Sequence, residues 1–505
     1  MKPKLTSIIA FLLPALLALY VGQLALARHL VDWNALAAAA HAYDVFHRLP
    51  QANMALIGFV QPPLPALIYL PLSLLAPGCL ASGCAAVVVG AVFMGLSTLL
   101  LYRLAHDLNL SPFIGAALVA IFALHPLILS YAALGAPAII LIFTYLGLAR
   151  AMIGWHRTES VRDLVAAAIY AAAAIIVAYE AAIPVLAAAL LILSYCSRGP
   201  RTEASKAEGT LIAFLLPAAY VAAVWLLCNW VIMGHPLYFW RETLGTQAPP
   251  PLEPGQSWVN ALLLVTLAAM PLLFALIYDH LIAALRTRRD VQAPPGLPVA
   301  TLALAALISP AIFPTLRTSA TGPALWPILM PLVAAAIAFG YTLLPTLIAR
   351  YRIGPARPSA GLLIIAVGCL VLSYHLNTTG QGLPNGFRSV MSGYAALGHT
   401  DTDERLAAAS LQSALNPSTR NLIAGWPGFA IALYGRTGAT VEVLPTSLPP
   451  AADLQLESGS TVVLLNEPDV LASWRARLPH HLRLSLTFTA GKWTGYKVAL
   501  TKPDR

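Results

Sequence analysis

The sequence predicts a polytopic α-helical membrane protein, about eleven transmembrane helices followed by a small extracytoplasmic α/β domain, and this class rests on three observations. Hydrophobic residues fill 59% of the 505 positions and charged ones only 10%, too little polar surface to cover a water-soluble globule of this length. The apolar residues gather into runs close to the roughly 20 residues that a helix needs to cross a bilayer. Basic residues fall between those runs in separated clusters, the pattern that sorts loops to the cytoplasmic side.

Leu5 to Ala27 follows the basic start Met1-Lys2-Pro3-Lys4, and Arg28-His29 comes directly after it. This run is too long for a signal-peptide core, so it is expected to stay as the first span with the N-terminus inside. Further spans are expected at Cys84 to Tyr102, Pro112 to Tyr131, Pro137 to Leu148, Leu164 to Ala178, Ala181 to Tyr195, Thr210 to Trp230, Val259 to Leu285, Leu297 to Leu316, Ala324 to Ile348 and Ala360 to Tyr374. The loop ends carrying Arg103, Arg150 to Arg162, Arg198 to Lys206, Arg286 to Arg289 and Arg350 to Arg357 then all face the cytoplasm. That alternation requires Pro62 to Leu80 to stay re-entrant or interfacial inside a long first outer loop, residues 28–83. The membrane part is thus 1–375, and 376–505 falls outside the inner, or plasma, membrane. In that tail the helical pattern Glu404 to Leu415 and the strand patterns Thr461-Val-Val-Leu-Leu and Leu482 to Phe488 suggest the α/β domain.

The five cysteines, Cys79, Cys84, Cys196, Cys228 and Cys369, show no paired spacing of a zinc site or disulfide framework and are expected as small core hydrophobes, with a Cys79–Cys84 disulfide, close enough in sequence, as the less favoured alternative. A net charge of +9 raises nucleic acid as a partner, but the basic residues form no continuous stripe, so membrane lipid is the expected partner and nucleic acid is not.

Acids on the outer side of the membrane part reduce to Asp32, Asp44, Glu180, Glu242 and Glu253, and an acid at a bilayer boundary is a functional candidate. Asp32 opens the long loop that also carries His41, Tyr43, Asp44, His47 and Arg48; it is equally suited to be a helix N-cap. The spacing of His41, Asp44 and His47 permits a common helix face, better explained by solvation than by metal. Glu180 stands at the turn between two spans, open to a cavity or marking a boundary. Among the outer basic residues, Arg317 has the planar fork that suits a phosphate, with snorkelling to headgroups as the alternative.

Four stretches in order resemble the GT-C class of membrane glycosyltransferases, in the bacterial branch related to protein O-mannosyltransferases and aminoarabinose transferases. They are Asp32 leading to Gly58-Phe59-Val60-Gln61-Pro62-Pro63-Leu64, then Ala178-Tyr179-Glu180-Ala181-Ala182, then Asn229-Trp230 with Gly234-His235-Pro236-Leu237-Tyr238-Phe239, and Arg317 before Pro323 to Pro331. The turn Tyr131 to Pro137 lacks the second acid that many members carry, and His235 stands where Asp is commoner.

The resemblance implies transfer of a sugar from a polyprenyl-phosphate donor to an extracytoplasmic acceptor, with inversion. Asp32 is then the general base and Asp44 a second catalytic candidate, while Arg317 and Arg241 meet the donor phosphate. Glu180, His235, Tyr43 and Tyr238 are implied to bind substrate, Trp33 and Trp240 also being placed to stack on a sugar. A divalent metal is compatible with the class and is not indicated by the sequence. Two other readings stay open at this point: a multi-pass transporter or lipid flippase, and a non-catalytic scaffold of the same fold.

Overall fold

A computed structural model describes residues 3–48, 53–59, 61–196, 204–239, 299, 301–305, 325–350, 367, 399–415, 421–424, 428–436, 441–444, 456, 458–466, 468–477 and 482–500. Helix α1, Pro3–Ala27, packs along α5, Cys84–Asp107. Between them come β1, Leu30–Val31, then α2, Trp33–His47, then the short helices α3, Leu64–Leu75, and α4, Pro77–Ser82. Next follow α6, Pro112–Ala123, α7, Pro126–Leu134, α8, Pro137–Thr158, α9, Val161–Val177, α10, Ala182–Cys196, and α11, Ala204–Met233. Helix α12, Leu325–Arg350, packs against α8.

Among the described residues, five helices are long and apolar enough to cross a membrane, or six if the bent pair α6–α7 is one span. Their outer faces leave Ile8, Leu12, Leu16, Leu216, Leu227 and Val231 exposed, an apolar surface that needs lipid rather than water. The span expected at Val259 to Leu285 lies outside the described residues, as do most of those at Leu297 to Leu316 and Ala360 to Tyr374.

Two expectations are corrected. The run Pro112 to Tyr131 is not one continuous helix, because α6 and α7 meet at 65°. Pro126 contributes no N–H and drives His125 to extended backbone, φ −64 and ψ 124. The cysteines are not all simple core residues either: Cys79 and Cys84 form a disulfide, with Cα atoms 5.1 Å apart, because the turn at Gly83, φ +85, brings the start of α5 back beside α4. Cys228 keeps a free thiol, and Cys369 lies outside the described residues.

Ion pairs show which helix ends share a side. Asp107 at the end of α5 binds Arg150 of α8 at 2.7 Å and accepts a bond from Arg157 at its carbonyl, 2.8 Å. Tyr195 near the end of α10 donates to Glu159 between α8 and α9. At the opposite end, His29 and Ser82, close to the two ends of the first loop, both touch the C-terminal part of the chain through Asp401 and Arg405. The segment between them therefore returns to the side from which it starts. Helix α3, with 12 residues, rises only about 18 Å, well short of a bilayer core.

The C-terminal elements are β2, His399–Thr400, α13, Thr402–Ala414, β3, Asn421–Ala424, α14, Gly428–Tyr434, β4, Val441–Leu444, β5, Thr461–Leu465, α15, Pro468–Arg477, β6, Leu482–Ala490, and β7, Trp493–Leu500. Strands β3 to β7 form a mixed sheet in the order β4-β3-β5-β7-β6. The first three pair in parallel and the last two join antiparallel, with a register shift between Leu486 and Phe488. The parallel strands β3 and β5 are buried along almost their whole length, the expected state of strands covered on both faces.

Candidate active site

Asp32 lies between β1 and α2 with extended backbone, φ −91 and ψ 122, and its Oδ1 accepts a hydrogen bond from Ala35 N at 2.9 Å. It is therefore the N-cap of α2, which satisfies one of the helix's free donors. Burial lifts its carboxyl to about 6, against the opposing bonds from Ala35 and Asn34. The result is a partly buried carboxylate that is largely ionised at neutral pH yet basic enough to accept a proton. Trp33, the next residue, meets Phe429 of α14 edge to face, with ring centroids 5.9 Å apart.

Helix α2 carries a run of alanines through residues 35, 37–40 and 42, all buried, and these small side chains let α3 approach closely. Tyr69 of α3 is 1% exposed, its phenol oxygen has no hydrogen-bond partner, and burial and then the charge of Asp32 raise its pKa. Gly58 stands at φ +84, where a Cβ would come 2.9 Å from His41 Nε2. Glycine is needed there for both reasons: the positive φ and the close approach. The motif that starts at Gly58 is thereby laid against α2, and burial holds the His41 imidazole below its usual range and neutral.

From this point the aromatic side chains of three separate motifs meet. Phe59 stacks on Trp225 of α11, with centroids 5.0 Å apart and planes 8° from parallel. Trp225 Nε1 donates to Tyr179 Oη at 3.1 Å, and the Tyr179 ring lies 4.6 Å from that of Phe239. Asn229, one turn after Trp225, donates to its carbonyl at 2.8 Å and keeps its own Oδ1 buried without a partner. Glu180 is 3% exposed in the short turn Tyr179–Ala181 beside this network. Tyr238 packs against the α2 core, whereas His235 is exposed and accepts from Leu237 N at 3.2 Å.

The structure separates Asp44 from Asp32: twelve residues along α2 place them about 18 Å apart. Asp44 binds Arg48 at 3.2 Å, and Arg48 also reaches the carbonyl of Val441 at 3.4 Å. Burial raises the Asp44 carboxyl to about 6, with Arg48 opposing. Tyr43 is buried at this far end, its ring 4.5 Å from that of His47, and His47 Nε2 lies 2.9 Å from the Ser73 carbonyl. The expectation of one solvated face for His41, Asp44 and His47 is thus corrected: His41 faces Gly58, Asp44 pairs with Arg48, and His47 reaches the Ser73 carbonyl of α3. Arg241, Arg317 and Trp240 lie outside the described residues, and so do Glu242 and Glu253. Among the described residues no three His, Cys, Asp or Glu side chains come together in a way that suits a metal ion.

Trp225, Tyr69 and Phe429 were not singled out from the sequence. Trp225 had a signal, its position one helical turn before Asn229, but the other two sit in ordinary apolar patterns.

No family model and no curated protein matches the chain. Solved structures do. ArnT from Cupriavidus metallidurans bound to undecaprenyl phosphate aligns with a TM-score of 0.58 at 16% identity, over 98% of this chain and 98% of that one. The apo state of the same protein gives 0.55 at 15% identity, covering 97% of each chain. The archaeal oligosaccharyltransferase AglB from Archaeoglobus fulgidus, in complex with an inhibitory peptide and a dolichol-phosphate, gives 0.51 at 12% identity over 99% of this chain and 74% of that one. The fold is therefore the GT-C fold that the motifs suggested, in a chain built for the membrane.

Proposed function

We propose that this protein is a membrane glycosyltransferase that moves a sugar from a polyprenyl-phosphate donor to an acceptor outside the cytoplasm, with inversion at the anomeric carbon. The observation that carries the reading is the convergence of Phe59, Tyr179 and Phe239, from three motifs far apart in sequence, around Trp225 into one network beside the helix that Asp32 caps. Such a wall of rings suits a pyranose, and the buried Glu180 and Asn229 supply polar groups to orient its hydroxyls. The fold likeness to proteins solved with undecaprenyl phosphate and dolichol-phosphate supports a polyprenyl-phosphate partner.

In the reaction, Asp32 takes the proton of the acceptor hydroxyl as that oxygen bonds to the anomeric carbon. The bond from that carbon to the donor phosphate breaks on the opposite face, and the phosphate leaves with the electron pair. Arg317, with Arg241, neutralises the charge that develops there. Glu180, Tyr238 and His235 line the sugar side of the same end of the bundle, and Tyr43 with Asp44 serves the α2 end remote from the reacting atoms. The Cys79–Cys84 disulfide supports an oxidising, extracytoplasmic location for the 28–83 loop, with the N-terminus in the cytoplasm and the tail from 376 outside the inner membrane.

The donor assignment is tested by transfer from an undecaprenyl-phosphate-linked sugar in detergent. Arg317→Ala should weaken donor use more than Arg317→Lys, which keeps the charge and loses the bidentate fork. Equal rates for Arg317→Ala and wild type would make Arg317 a headgroup anchor instead.

A further inference from the structure

The peptide leading into Asp32 is held by residues from the far end of the chain. After α1 ends, the N–H groups of Arg28 and His29 return to the carbonyls of Ala25 and Leu26, each at 3.0 Å. His29 stands at φ +57, a left-handed conformation that a side chain adopts at a cost and that its surroundings must impose. The next two residues are β1, paired antiparallel with β2 so that Leu30 faces Thr400 and Val31 faces His399. A ladder of two residues is marginal by itself.

Asp401 supplies the rest. Its N–H donates to the His29 carbonyl at 3.0 Å, and His29 Nδ1 lies 3.7 Å from its Oδ1. Its carboxylate is fully buried and accepts bonds at Oδ2 from Arg405 Nε, 3.0 Å, and from the hydroxyl of Tyr434. The Arg405 guanidinium lies 4.2 Å over the Tyr434 ring and reaches the Ser82 carbonyl at 3.2 Å, next to the disulfide-closed turn. The bonds from Arg405 and Tyr434 hold this buried carboxylate at Oδ2, while Oδ1 accepts no hydrogen bond among the described residues and has only the His29 ring near it, so a change at Asp401 is costly and is felt at His29.

We infer that Asp401, with Arg405 and Tyr434, is a positioning group for Asp32: the C-terminal chain sets the backbone from which the Asp32 carboxylate is presented to the reacting atoms. This gives the C-terminal part a role inside the site, and it rests on the reading of Asp32 as the base. A loosened clamp frees the turn at His29, and Asp32 then loses its alignment with Ala35 N.

The test uses the full-length protein in detergent, with two variants: Asp401→Asn, which keeps size but removes the charge, and Tyr434→Phe, which keeps the ring under Arg405 and removes one hydroxyl. Amide hydrogen exchange at residues 29–33 should speed up by about tenfold in Asp401→Asn and less in Tyr434→Phe. Difference infrared titration of the Asp32 carboxyl, with Asp32→Asn as the subtraction, should show its midpoint displaced by about half a unit or more in Asp401→Asn. Faster exchange with an unmoved midpoint would reduce the clamp to a structural tie and overturn the inference. Unchanged exchange in both variants would overturn it as well. Neither readout uses sugar transfer, so a wild-type protein without transfer would count against the transferase reading and leave these results standing.

Discussion

At the scale of single residues, Asp32 combines two properties that usually exclude each other. As an N-cap it accepts Ala35 N–H, which favours the charged form, and burial works against that form strongly enough to lift the carboxyl to about 6. A general base acts when unprotonated. Transfer per unit substrate should therefore fall about tenfold per pH unit below about 6 and level off above it. A pH–rate profile of kcat/KM checks this, and a flat profile between pH 5 and 8 would remove Asp32 from the proton transfer. Asp44 titrates in the same range, but its carboxylate is held by Arg48 at the other end of α2. Asp44→Asn should leave that acid limb where it is.

Elements explain why the site has its shape. Helix α7 ends at Gly135, φ +68, where a Cβ would lie 2.2 Å from the Ala86 carbonyl of α5. Gly135→Ala should cost about 1–3 kcal/mol through overpacking and a strained φ. It is measurable as a lower thermal midpoint in detergent, and an unchanged midpoint would mean that α5 and α7 do not pack so closely. What was readable at this scale followed the strength of the pattern. Thr461–Leu465 is a strand because five apolar or β-branched residues run between turn residues, and Thr402–Ala414 is a helix because its alanines and Leu411 recur on one face. The break at His125-Pro126 was not read, since an apolar run on both sides hides a bend that only the proline signals. The disulfide is the less favoured reading of the sequence because the Cys79–Cys84 spacing matches no framework; the turn at Gly83 makes it possible. The Trp225–Tyr179 contact and the β1–β2 ladder join residues far apart in sequence, beyond the reach of any local periodicity.

For the whole molecule, one end gathers Asp107, Arg150, Arg157, Glu159 and Tyr195, and the opposite end gathers Asp32, the aromatic network and the C-terminal sheet. Reporter fusions after Arg103, Arg157 and Arg201 should report cytoplasm, and a fusion after His375 the outside. An external signal after Arg103 would make Pro62 to Leu80 a true span and invert every later assignment. The motif order was legible because it repeats a known sequence of short segments, whereas the joining of the C-terminal chain to the first loop depends on buried polar contacts such as Asp401 with Arg405. The central claim, that this assembly transfers sugar with Asp32 as base, is tested most directly by one comparison: sugar transfer by purified wild-type and Asp32→Asn protein at saturating undecaprenyl-phosphate-linked donor. Asn caps a helix about as well as Asp, so the variant should keep the fold while turnover drops by about 10² to 10⁴. Wild-type turnover in Asp32→Asn would contradict the account, leaving Asp32 a cap and the protein a transporter or a scaffold.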